Sequence, residues 1–242
     1  MYKLMISLFI LHCHILLGQN LVVNSSFDTV HECPNNLYGA VVNAKYWFNP
    51  TMGTPDLFGE CAKGTEFYTI KNDCGEILNH GSDTSFAGII VYTKDKYDFY
   101  KEYIGSSLKE SLQKDSFYRI KARLCLAQVS KYTLQSIGIT FLKNSKELNK
   151  EWLWTTGNLE LNYIEILNKP IEKRCYWNSV ETVFKAQGGE SVFILGNFQK
   201  FDKIQSNKVN DCVKTISNRV KNQCYIYIDD IQIEKISGQS QN

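Results

Sequence analysis

Fourteen tyrosines, thirteen phenylalanines and four tryptophans stand in this 242-residue chain. Such rings can stack on the apolar face of a sugar, while amide, guanidinium and carboxylate groups bond its hydroxyls. Trp152 and Trp154 lie two apart, so in an extended segment they share one side and form a candidate stacking platform. Tyr97, Tyr100 and Tyr103 are further candidates. The competing reading for every ring is the core, where most aromatics of a packed protein lie. A catalytic reading has less to build on. The chain has no G-x-S-x-G elbow, no H-E-x-x-H and no phosphate loop. Its 25 acidic residues do not define a glycosidase pair, because such a pair is set by a separation in space. A non-catalytic protein is expected.

Eight cysteines are present, at 13, 33, 61, 74, 125, 175, 212 and 224. None forms a C-x-x-C pair, which disfavours a zinc ribbon or a thioredoxin-type site. Residues 1–18 read as a secretory leader, with Lys3 as the one charge, an apolar run from Leu4 to Leu11, and Gly18 at the end. His12, Cys13 and His14 belong to that leader and not to a metal site. Gln19 would begin the mature chain, and no later stretch is long and apolar enough to span a membrane. Export permits disulfides, and the seven cysteines beyond residue 18 leave at least one thiol unpaired within the chain. Cys33, Cys61 and Cys74 lie in loop-like sequence, and at least one bridge is expected among them. Cys212 and Cys224 bracket a polar segment and are a second candidate pair. Cys125 alternates within a strand pattern and reads as a small buried residue.

These residues must be carried by strands. Residues 117–128 place Tyr118, Ile120, Ala122, Leu124 and Leu126 on one face and Arg119, Lys121 and Arg123 on the other, the period of a half-buried strand. Similar signals occur at 20–23, 86–93, 100–108, 134–142, 176–185, 191–198 and 224–234. Residues 144–173 and 200–223 read as long loops, and 237–242 as a frayed tail. No long stretch has a clean 3.6-residue apolar period. The expectation is one all-β domain over 19–242, an antiparallel β-sandwich of the jelly-roll kind. A net charge of +2, from 27 basic and 25 acidic side chains, gives no support to nucleic-acid binding.

The ordered motifs resemble a known module. Asn20 to Asp28 looks like the opening, and Tyr225 to Ile231 the closing strand, of galactose-binding-like jelly rolls, which include the carbohydrate-binding modules of glycanases. Between them, residues 47–58 (WFNPTMGTPDLF), 86–89 (FAGI), 100–104 (YKEYI) and 188–198 are similar to the N-terminal module of exported Bacteroidetes proteins, joined in larger relatives to an OmpA-like domain. The resemblance implies first and last strands that lie together, and core places for Trp47 and Trp177. It also implies a structural calcium held by the side chains of Asp28 and Asp230 and by backbone near Ser26 and Ser85, with Asp83 as an extra ligand. Asp28 stands where the family usually has Glu, and Ser82-Asp83-Thr84-Ser85 replaces a more usual turn. The function implied is a secreted or envelope module that binds a carbohydrate or envelope glycan. The alternative is a structural or adhesion module that binds an envelope protein.

Overall fold

The computed structural model describes residues 18–35, 39–59, 61, 85–94, 100–148, 159, 161–210 and 222–236. The protein is an antiparallel β-sandwich, and its described residues contain no α-helix, only short 3-10 turns. Twelve strands follow in chain order: β1 (Trp47–Phe48), β2 (Asp56–Gly59), β3 (Ser85–Thr93), β4 (Tyr103–Ser107), β5 (Phe117–Leu126), β6 (Tyr132–Leu134), β7 (Ile137–Leu142), β8 (Ile164–Leu167), β9 (Trp177–Lys185), β10 (Val192–Gly196), β11 (Ser206–Lys208) and β12 (Gln223–Lys235). One five-stranded sheet has the order β1-β4-β10-β7-β8, and the second has the order β2-β3-β12-β5-β9. A small ribbon pairs β6 with β11.

The core lies between the two sheets, and period two selects it. From β5 come Tyr118, Ile120, Ala122, Leu124 and Leu126, from β3 Ala87, Ile89 and Val91, and from β12 Ile226 and Ile228. They meet Ile104, Ile139, Phe193 and Leu195 of the opposite sheet. Arg119, Lys121 and Arg123 point away from this core, as the alternation requires. Trp47 is in the core, its ring stacked on Phe27 at 4.3 Å, with its indole N–H donating to the Asn24 carbonyl at 2.9 Å.

Boundaries differ from the sequence reading in several places. Residues 20–23 are not a strand; one isolated bridge, Val22 with Leu108, is formed. The Asn20 side chain takes over the ladder bonds there, accepting from Ile233 N at 3.0 Å and donating to Ile231 O at 3.2 Å. The two stretches read as long loops each carry a short strand, β8 and β11. β1 and β2 lie in Pro- and Gly-rich sequence that hides their strand character. The opening and closing segments do lie together: Leu21 N donates to Ile233 O at 2.8 Å, and Ile231 N to Ser25 O at 3.1 Å.

Candidate functional site

The second sheet gathers aromatic side chains on the face turned away from the core. Its register aligns Asp56 with Gly88, Gly88 with Tyr227, Tyr227 with Cys125, and Cys125 with Trp177, one row across all five strands. Four inter-strand spacings make that row about 19 Å long. Phe58 pairs with Phe86 one step along, and their rings stack at 4.9 Å. Tyr227 meets both edge-on, at 5.2 and 4.9 Å, and Tyr225 at 5.5 Å. The Trp177 ring meets Phe86 edge-on at 5.8 Å. Phe58, Phe86, Tyr225 and Tyr227 are buried, while Trp177 is only partly so.

Trp177 stands where this aromatic row meets the charged half of the same face. The Arg123 guanidinium lies 5.4 Å from its ring centre and donates to Asp230 Oδ2 at 3.1 Å. Beyond Arg123, Glu181 holds Arg119 at 3.0 Å and Lys121 at 3.8 Å. A partly exposed indole beside a guanidinium and a carboxylate joins a stacking plane to hydrogen-bond donors and acceptors.

At the other end of the row the polar groups are turned inward. The Tyr225 ring crosses Gly88, where any Cβ would run into it, and its hydroxyl donates to Asp56 Oδ2. Glu102 lies beneath, 2% exposed. Its Oε2 accepts from Ile90 N at 2.7 Å, and its Oε1 accepts from the Tyr100 hydroxyl at 2.7 Å and from Thr54 N at 3.2 Å. Burial pushes the Glu102 carboxyl up, against those hydrogen bonds. Burial and the neighbouring Glu102 push Tyr100 up to about 12. Burial and the Asp56 and Glu102 carboxylates hold Tyr225 well above the usual phenol range. The neighbouring Lys101 points the other way; its Nζ donates to Gln199 O at 2.5 Å and Asn197 O at 3.2 Å. Burial pulls this amine down to about 7.

Of the rings singled out from sequence as sugar ligands, Trp152, Trp154 and Tyr97 lie outside the described residues. Tyr100 is described, and its hydroxyl is used inside the fold, donating to Glu102 and accepting from Thr54 N at 3.0 Å. The aromatic row itself was missed. Its signal was present: the runs 86–91 and 224–228 are apolar on both faces, the pattern of strands covered on both sides.

Two of the expected calcium ligands, Asp28 and Asp230, are bonded to other side chains. Ser26 Oγ donates to Asp28 Oδ2 at 2.7 Å, on an exposed turn. Asp230 faces the Arg123 guanidinium, and Ser85 is buried at the start of β3. Asp83 lies outside the described residues. Among the described residues no three His, Cys, Asp or Glu side chains converge. A guanidinium 3.1 Å from the main carboxylate fits a calcium ion badly, since it already neutralises that charge. Asp229 is the buried carboxylate of the pair, its Oδ1 accepting from Asp230 N at 2.8 Å.

Cys33 and Cys61 form a disulfide with Cα atoms 5.3 Å apart, as expected for the loop cysteines, while Cys74 lies outside the described residues. The Cys212–Cys224 pairing is corrected: Cys224 is a free thiol. It sits on the central strand β12 with its side chain buried in the core. Cys212 lies outside the described residues. Cys175, not among the expected pairs, is disulfide-bonded. Cys125 is free and buried on the aromatic face, as its alternation indicated.

No family model matches the sequence, and no curated protein matches it. Several solved structures are similar in fold. The CBM22-1 and GH10 modules of endo-1,4-beta-D-xylanase 10B from Clostridium thermocellum, solved with xylohexaose, align with a TM-score of 0.42 and 11% identity over 93% of this chain and 30% of that one. The CBM22-1 xylan-binding domain of Paenibacillus barcinonensis Xyn10C gives 0.42 and 11%, over 92% of this chain and 97% of that one. The K1 cleaved adhesin domain of Lys-gingipain from Porphyromonas gingivalis W83 gives 0.40 and 11%, over 91% and 100%.

Proposed function

We propose that this chain is an exported, non-catalytic glycan-binding module whose ligand meets the outer face of the second sheet at Trp177. The observation that carries the reading is the junction on that face. There a partly exposed indole, backed by Phe86 and Tyr227, lies beside the Arg123–Asp230 pair. A sugar ring stacks on the indole, and its hydroxyls accept from the guanidinium and donate to the carboxylate. The buried rings behind Trp177 hold it in place, so little side-chain freedom is lost on binding. The Cys33–Cys61 bridge and the bonded Cys175 support an oxidising compartment.

The test is a glycan array on the mature domain, followed by affinity electrophoresis in the polysaccharides that score. Trp177→Ala should weaken binding at least ~10-fold, the loss of about 1.4 kcal/mol, with the fold intact by circular dichroism. Binding that survives in Trp177→Ala but is lost in Trp152→Ala or Trp154→Ala would move the ligand to that pair. A wild-type domain that binds no glycan but captures an envelope protein would replace this reading with the adhesion one.

A further inference from the structure

We propose that the mature chain starts at Gln19 and that this residue is a modification site, closed to pyroglutamate. Asn20 is anchored to β12. Its side chain spans Ile231 O and Ile233 N, and its carbonyl accepts from Lys109 Nζ at 2.8 Å. Gln19, one step earlier, is exposed, and its side chain makes no hydrogen bond among the described residues. Removal of 1–18 as a leader would therefore leave a glutamine as a solvent-facing terminus on an anchored stem.

A terminal glutamine places its α-amine within five-membered-ring reach of its own side-chain carboxamide. The amine attacks the carboxamide carbon, the new C–N bond closes a lactam, and the bond to the amide nitrogen breaks. Ammonia leaves with a proton from the attacking amine, and no oxidant, metal or cofactor takes part. The open terminus carries an ammonium and the lactam is neutral, so closure removes one positive charge. It also leaves untouched the bond from Leu21 N to Ile233 O, where the described pairing with β12 begins.

The experiment is mass spectrometry of the N-terminal peptide of the protein exported from leader-processing cells, then treated with a glutaminyl cyclotransferase and an amine-labelling reagent. The expected peptide begins at Gln19, is lighter by one ammonia and takes no α-amine label. The Gln19→Ala variant should begin at the same place with its encoded mass and take the label. A Gln19 peptide that is fully labelled after treatment overturns the cyclisation and leaves the processing site standing. A peptide that begins elsewhere overturns both. A blocked Gln19→Ala terminus overturns the chemistry, since no carboxamide is then present to close the ring.

Discussion

Lys101 is a buried amine, 1% exposed and bonded to backbone carbonyls. Desolvation lowers its amine to about 7 in the folded state, while the unfolded chain keeps it near 10.5. Between those values the unfolded chain binds the extra proton, so stability rises with pH from about 7 towards 10 and is lowest, for this group, below 7. The expected outcome is a wild-type urea midpoint that climbs between pH 6.5 and 9 and a flatter profile in Lys101→Met. Equal slopes in both proteins would remove Lys101 as the cause. Gly88 makes a separate demand. Its missing side chain is the space that the Tyr225 ring crosses on its way to Asp56. Gly88→Ala should cost about 1–3 kcal/mol by overpacking, read from the denaturant midpoint. Gly88→Ala combined with Tyr225→Ala should lose less than the sum of the two single changes, because the clash partner is then gone.

The last strand is the element on which the site depends. β12 is central in its sheet, carries Tyr225 and Tyr227 outward, and breaks register between Asp229 and Gln232. Asp230 takes a left-handed φ of 50° at that bulge, a conformation Asp adopts more readily than most residues. The break turns Asp230 to Arg123, while Asp229 stays buried. Alternation told the two aspartates apart, but the Arg123 partner of Asp230 was not legible, because a bulge and a guanidinium from another strand leave no local mark in sequence. Asp230→Ala should therefore lower the melting temperature equally with and without EDTA, and should loosen Arg123 from Trp177. A loss that appears only in calcium would return the ion to this carboxylate. Asn20 is the matching device at the other end of the chain. Asn20→Ala removes both side-chain bonds to β12 and should cost about 1–3 kcal/mol. The closeness of the two ends was legible because both carry motifs; that a side chain replaces the first strand's ladder was not.

For the molecule as a whole, much of the β-pattern and the inward face of β5 followed from period two, since a half-buried strand writes its burial into the order of its residues. The second cluster, on the outer face, did not, because strands covered on both sides lose that alternation. The cysteines follow the same division. Cys125 and Cys224 stand on central strands, one in each layer of side chains flanking the second sheet. Burial pushes the Cys125 thiol up to about 12 and Cys224 also well above the usual thiol range. Only the thiolate attacks a disulfide or an alkylating reagent, so neither should react in the native protein at pH 8. Cys33, Cys61 and Cys175 are protected differently, by oxidation. Unfolding without reductant should expose Cys125 and Cys224 to labelling, and peptide mapping should find Cys33, Cys61 and Cys175 labelled only after reduction. The Cys33–Cys61 bridge, closing a separation of 28 residues, should add about 2–4 kcal/mol by restricting the unfolded chain. Replacing both by Ser should therefore lower the melting temperature without altering native thiol reactivity. Label on Cys125 or Cys224 in the native protein, at the rate seen after unfolding, would show that the layers over the second sheet open in solution. The buried support behind Trp177 would then fall with them.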